Sequence, residues 1–417
     1  MIKRTIFIAP LILIIISCSE NRYDPERKFE DIQQGLLTQF ILTEDSTVIE
    51  LPEGHFIFDK SLILEGKHNI RIKGQGIDKT VLSFKDQKQG AEGIRIANCT
   101  DIVLEDFSIE DAAGDNIKVT DTDGITFRRV KSAWTGEVSA KNGAYGLYPV
   151  LCKNVMIEEC EVMGASDAGI YVGQSEQVII RNNTVYWNVA GIESENSAHV
   201  IIHDNKAYNN TGGILVFDLP GLTRYGNDIK VYGNEIVENN MENFAPAGNI
   251  VGVVPKGTGI LILATEGVEV FNNIISDNKT IGVAIVSYEL VAALDSGDGE
   301  GTDAGTARTV NDNYKTDTLY NPYPRRIFVH SNNISSSYWL PALDNDFGKL
   351  FVYNFGFNLP SVAWDGIRAP EYYVDGSINP LYKICIDEGE DVITTDLDAA
   401  NDFENLTKNP ALFSCEL

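Results

Sequence analysis

Between residues 93 and 286 the chain repeats one short strand eight times, as in Gly93-Ile94-Arg95-Ile96, Gly169-Ile170-Tyr171-Val172 and Gly259-Ile260-Leu261-Ile262. Ile94, Ile117, Leu147, Ile170, Ile192, Ile214, Ile260 and Val283 lead these strands, 22 or 23 residues apart except where insertions lengthen the step to 30 and 46. Each unit continues with a second strand, such as Gln177-Val178-Ile179-Ile180, then a polar doublet and a third strand. Three short strands of alternating polarity cannot bury their apolar faces within one such unit, but stacked units bury them together. The repeat therefore specifies an all-β, right-handed, single-stranded parallel β-helix. A leucine-rich horseshoe would need a leucine and asparagine spacing that is absent.

The doublets Asn182-Asn183, Asp204-Asn205, Gly233-Asn234, Asn272-Asn273 and Asn332-Asn333 mark a corner of each coil. The last asparagine of each can bond its counterpart in the next coil, predicting a ladder through Asn183, Asn205, Asn234, Asn273 and Asn333. Earlier coils place Cys160, Val130 and Phe107 in that slot, turning the ladder into an apolar column. Stacked coils lie about 4.8 Å apart. Cys99 and Cys152 are separated by a coil presenting Thr122, and two such steps exceed the roughly 7 Å reach of a disulfide. Cys152 and Cys160 sit at opposite ends of one strand. These three read as packed thiols, and Cys385 with Cys415 as a tail disulfide formed in an oxidising compartment.

An open solenoid must cover its terminal coils. Phe29, Ile32, Leu36, Leu37 and Phe40 share one face of a helix predicted over 27–41, an N-terminal cap. Insertions fall at 218–229, 239–257 and 288–325, the last rich in Gly, Asp and Thr and expected to form a long mobile loop. The repeat fades near residue 340. The expected divisions are a signal peptide over 1–17, a linker and capping helix over 18–44, the β-helix over 45–340, and a tail over 341–417 packed on the last coils.

Lys3 and Arg4 precede an apolar run from Ile6 to Ile16, too short to span a membrane as a mature helix. Ile15-Ile16-Ser17-Cys18 resembles a bacterial lipobox, which implies lipidation of Cys18 and attachment to the outer membrane, facing the periplasm or the cell surface, through acyl chains alone. With 33 basic and 60 acidic residues, a net charge of −27, the chain is unsuited to nucleic acid, and a polyanion would need local or bound cations.

Aligned on the lead positions, outward residues of the first strands form two rows. One reads Arg95, Lys118, Tyr148, Tyr171, Glu193, Leu215, Leu261; the other, two residues on, reads Ala97, Thr120, Val150, Gly173, Glu195, Phe217, Leu263. The resulting surface passes from basic through aromatic and acidic to apolar. Tyr148 and Tyr171 could stack on sugar rings and Arg95 and Lys118 could hold carboxylates, with Tyr145, Phe217 and Asp218 completing the contact set.

Three chemistries stay open, with Asp167, Glu193, Glu195, Tyr171 and Lys118 as the candidate catalytic residues. Inverting hydrolysis needs two carboxyl groups roughly 6.5–9.5 Å apart. Glu193 and Glu195, two residues apart on one face, would stand at about 6.7 Å, with Asp167 able to join them. A uronate lyase or epimerase needs a base and a carboxylate neutraliser, available among Lys118, Lys141, Arg95, Tyr145 and Tyr148. Calcium would take oxygen ligands from Asp115, Asp167, Glu193, Glu195 or Asp218, with Asp167 and Glu193 foremost. Outward charges and rings also serve simply to keep a solenoid soluble. The five histidines lack metal-ligand spacing, and no nucleophile elbow, P-loop or cysteine zinc pattern occurs.

Leu51-Pro52-Glu53-Gly54-His55-Phe56 and Ile72-Lys73-Gly74-Gln75-Gly76 resemble the opening turns of pectin-lyase-like β-helices, whose saccharide lies on the first-strand face. Tyr145-Gly-Leu-Tyr-Pro149, Gly164-Ala-Ser-Asp-Ala-Gly-Ile-Tyr-Val-Gly-Gln-Ser175, Asn188-Val-Ala-Gly-Ile-Glu193, Thr211-Gly-Gly-Ile-Leu-Val-Phe-Asp-Leu-Pro-Gly221 and Asn243-Phe-Ala245 resemble an uncharacterised family of bacterial parallel β-helix repeat lipoproteins over residues 45–290. That resemblance implies the right-handed fold, export, and a genomic pairing with an exported haem-containing protein; it implies no activity. Two functions follow as expectations. One is an envelope protein that binds, and cleaves or epimerises, an acidic polysaccharide, with Ca2+ as a candidate cofactor. The other is a non-catalytic binding or assembly module for the haem protein.

Overall fold

The computed structural model describes residues 27–295 and 314–414. The expected signal segment with Lys3, Arg4 and Cys18, residues 296–313 of the third insertion, and Cys415 lie outside the described residues.

The lead positions stack in register: Leu62, Ile94, Ile117, Leu147, Ile170, Ile192, Ile214, Ile260, Val283 and Val362 each pair in parallel with the next. These first strands make a 12-stranded sheet, and the second and third strands of the coils make a 19-stranded one. Period-two alternation turns the lead residues inward, where they meet second-strand residues such as Ile125, Val155, Val178 and Val200 in one continuous core. Each such Ile or Val contributes roughly 1.5–3 kcal/mol by leaving water.

One inward position breaks the column. Ser194 lies between Val172 and Val216, is 1% exposed, and its hydroxyl has no hydrogen-bond partner. An unpaired buried hydroxyl costs about 1–3 kcal/mol. Ser194→Val, which copies both neighbours, is expected to raise stability by about 1–2 kcal/mol, read as a higher urea midpoint at unchanged slope. A lower midpoint would show that the hydroxyl has a partner worth keeping.

The doublets have a backbone cause. Asn182, Asp204, Gly233 and Asn272 turn the corner with φ of 55°, 55°, 65° and 54°, the left-handed region that Gly, Asn and Asp tolerate best. The next residue then points its amide along the stack. Asn183 donates through both its main-chain N–H and its side-chain amide to Asn205 Oδ1, at 3.0 and 2.9 Å. Asn205, Asn234 and Asn273 repeat the pattern. After Arg325–His330 the ladder residue is Asn332, not the expected Asn333, because Ser331 takes the left-handed position there at φ 56°. A second ladder, Asn188, Asn210, Asn239 and Asn278, runs along the next corner. Cys160 N–H donates to Asn183 Oδ1 at 2.9 Å and ends the first ladder, and Phe107 and Val130 pair beyond it. Cys99, Cys152 and Cys160 are buried free thiols, and Cys385 is disulfide-bonded.

The capping helix is shorter than predicted, Gln33–Leu42. The chain before it is extended, with Glu30 bridged to Phe56, and the Asp31 side chain accepts the Gln33 N–H at 3.0 Å. Leu36 and Phe40 bury against the first coils. At the other end the solenoid runs past residue 340. Val362–Trp364 and Thr394–Asp396 extend the first-strand sheet, and Ile384–Asp387 pairs with Arg325–His330. Helix Asp346–Phe355 lies between these strands and breaks the sequence period. Thr407–Lys408 then pairs antiparallel with Thr394–Asp396 at the edge of that sheet. Among the described residues no helix is long and apolar enough to cross a membrane.

Candidate active site

The outward face of the first strands is open at one end and roofed further on. Arg95, Lys118 and Tyr148 are half-buried. Every residue of Ala168–Gly173, Ala190–Glu195 and Gly212–Phe217 is buried. The expected surface at Tyr171, Glu193, Glu195 and Phe217 is thus an interior. The insertions cover it: Val251 and Val254 from the second, and Tyr288, Val291 and Tyr320 from the third, join Tyr171, Leu215 and Phe217 in a second apolar core outside the solenoid. The described flanks of the third insertion, expected to be mobile, include helix Tyr288–Asp295 and leave Tyr288 and Tyr320 buried.

Three carboxyl groups lie beneath this roof, with Asp167 3%, Glu193 1% and Glu195 8% exposed. Parallel pairing sets Tyr171 beside Glu193 and Gly173 beside Glu195. A Cβ at Gly173 would fall 2.4 Å from the Tyr171 ring. The glycine thus leaves room for that ring to lie along its own strand, and Tyr171 OH donates to Glu195 Oε1 on the next coil at 2.8 Å. Asp167 Oδ2 accepts from Tyr145 OH at 3.2 Å and from Asn249 Nδ2, on the second insertion, at 2.9 Å. Asp167 Oδ1 and Glu193 Oε2 are buried without any partner.

Burial dominates the electrostatics. It pushes Asp167 up to about 8, with the Glu195 charge adding and the Tyr145 bond opposing. Glu195 is pushed up to about 7 by burial, against the Tyr171 bond. Glu193 is held well above the usual carboxylate range by burial, then by Asp167 and Glu195. Tyr145 and Tyr171 are raised by burial and by these carboxyl groups, so both stay protonated donors. Glu193, lacking a donor, is the natural acid of the set, while Asp167 and Glu195 each have a phenol to support negative charge.

The tyrosines pack on one another. Ring centroids of Tyr145, Tyr148 and Tyr171 lie 4.4 to 4.9 Å apart, so the Tyr171 face expected to stack on sugar is occupied. Tyr148 is the outer member, with Lys118 Nζ 4.7 Å from its ring centre. Lys118 is also 3.9 Å from Asp115, whose carboxyl burial pushes up to about 6 while Lys118 opposes. Arg95 neighbours Lys118 in register at the open end. Two expected contact residues hold the roof instead: Phe217 belongs to the external core, and Asp218 accepts the Gly226 N–H at 2.8 Å while its main-chain oxygen accepts Tyr320 OH at 2.7 Å. Asn249 was not foreseen because its insertion carries no repeat to align. Among the described residues no group of three or more His, Cys, Asp or Glu is placed to hold a metal ion.

The family model for a right-handed beta helix region matches residues 62–229 and 138–294, and the chain belongs to that family. No curated protein matches it in sequence. Among solved structures it is similar to the Azotobacter vinelandii mannuronan C-5 epimerase AlgE6 A-module, at 13% identity over 88% of this chain and 92% of that one, TM-score 0.48. It is also similar to polygalacturonase from Erwinia carotovora ssp. carotovora, at 12% identity over 71% and 73%, TM-score 0.40. The Streptococcus pneumoniae surface protein and adhesin PfbA is a third, at 10% identity over 81% and 88%, TM-score 0.46. At such identities the likeness is one of fold alone.

Proposed function

We propose that this is an exported, lipid-anchored enzyme that cleaves an acidic polysaccharide by acid–base hydrolysis. The polymer lies on the open first-strand face, its carboxylates near Arg95 and Lys118 and one sugar against Tyr148. Glu193 donates the proton to the leaving oxygen, and Asp167 or Glu195 activates water. Entry of a sugar requires the second insertion to lift, parting the Asn249 bond to Asp167.

One observation carries the reading: three carboxyl groups buried together, two of their oxygens unpaired, at the end of a cationic and aromatic face. Such a cluster weakens the fold, since apolar residues of similar size would be more stable there, and groups with strongly perturbed titration collect where chemistry is done. The test is incubation of the soluble protein, lacking residues 1–18, with pectin, alginate and sulfated glycans, with and without calcium. New reducing ends without unsaturated uronate are expected from at least one acidic polymer. Unsaturated product would replace hydrolysis by elimination. Silence across the panel would overturn the enzymatic reading in favour of a partner-binding module.

A further inference from the structure

A second aromatic site lies apart from the carboxyl cluster, where the chain leaves the third strand Asn333–Ser335 and runs to helix Asp346–Phe355. Trp339 and Phe357 are 68% and 70% exposed, with ring centroids 5.5 Å apart. Beside them Lys279 Nζ sits 4.5 Å from the Tyr338 ring centre, and no carboxylate lies within ion-pair distance of that ammonium among the described residues. Two recesses, of about 260 and 240 Å³, flank a ridge formed by Lys279, Tyr338 and Leu340. The ridge is fixed to the solenoid: Lys279 N–H donates to Asn240 Oδ1 at 2.8 Å, Ala342 N–H to the Lys279 carbonyl at 3.0 Å, and Ser337 N–H to Asp277 Oδ1 at 2.6 Å.

We propose that this ridge is a second glycan-binding site, which takes two adjacent residues of an acidic oligosaccharide, one in each recess, with a carboxylate or sulfate on Lys279. An exposed indole offers a flat apolar face to the C–H face of a sugar ring, and a rigid ring loses little entropy on binding. In a chain with 60 acidic residues against 33 basic ones, the Lys279 ammonium lies on a tyrosine face, and Asp344, which lines the first recess and feels the Lys279 charge, is ion-paired with Lys256, so Lys279 is left as a local attractor for an anion. Small recesses either side of a fixed ridge suit a sugar chain better than a broad protein surface, which would seek a larger continuous apolar patch. The site would hold a polymer that the first-strand face also engages, adding avidity without a new contact there.

The test is calorimetric titration of oligogalacturonate, and of a neutral galactose oligomer as control, into the soluble protein and its Trp339→Ala and Lys279→Gln variants. Trp339 is exposed and Lys279 half-buried, and thermal unfolding checks that each variant folds. Each variant is expected to weaken oligogalacturonate binding about tenfold, a loss typical of one anchoring contact. Turnover of short substrates should stay unchanged, which separates this site from the carboxyl cluster. Unaltered affinity in both variants overturns the proposal. So does a fall in sedimenting mass on Trp339→Ala with glycan binding intact, which would make the patch an interface between copies.

Discussion

Asn205→Ala is expected to cost about 3–5 kcal/mol, several times the effect of Asn182→Ala in the preceding coil. Asn205 is 2% exposed. Its Oδ1 accepts two bonds from Asn183, and its amide donates to the Ile180 carbonyl and to Asn234 Oδ1, each at 2.9 Å. Truncation strands the Asn183 N–H and weakens the Ile180 and Asn234 acceptors where water cannot follow, about 1–3 kcal/mol for each group left unpaired. Asn182 is exposed and contributes chiefly its tolerance of φ 55°, so alanine there should cost about 1 kcal/mol or less. Urea unfolding of the two variants measures the difference. Equal losses would mean that the ladder adds nothing beyond turn conformation.

Glu193→Gln is expected to abolish activity while stabilising the fold at neutral and alkaline pH, two effects of opposite sign. Carboxyl groups of the unfolded chain titrate near 4. In the folded protein Asp167 and Glu195 are pushed up to about 8 and about 7, and Glu193 is raised further above its usual range. The folded state therefore holds these protons more tightly. The stability contributed by these three groups is full below about pH 4, falls as pH rises toward 8, and levels off once the folded groups have also ionised. The slope is about 1.4 kcal/mol per pH unit for each group titrating in this way. The substituted amide would keep the shape without having to take up a proton on folding. A gain of about 2–4 kcal/mol near pH 8 is expected, vanishing near pH 4, together with a loss of about 10²–10⁴ in turnover. Urea midpoints at the two pH values and a reducing-end assay read both. A variant less stable than wild type at every pH would show that Glu193 is a fold residue.

The solenoid was legible because the apolar leads recur with a fixed phase, and every one from Ile94 to Val283 pairs as the spacing demanded. The doublets were legible in outline, but the physical rule is a left-handed residue followed by an asparagine, and that rule selects Asn332. The same rule finds the second ladder, since an asparagine stands five residues beyond Asn183, Asn205, Asn234 and Asn273. What sits outside the solenoid was less legible. The insertions have no period, so the burial of Glu193 and Glu195 beneath Val251, Val254 and Tyr288 could not be read from their rows. Gly173 stands in the outward row without a side chain, and the Tyr171 ring fills the space it leaves. Past residue 340, long excursions between strands hid coils that the structure continues.

Infrared difference spectroscopy of wild-type protein against Glu193→Gln at neutral pH tests the central claim, a protonated acid held ready beneath the roof. The account predicts a carbonyl stretch of a buried, protonated carboxyl group in the wild type, insensitive to moderate changes of pH and missing from the variant. A spectrum showing only ionised carboxylates at neutral pH would contradict it.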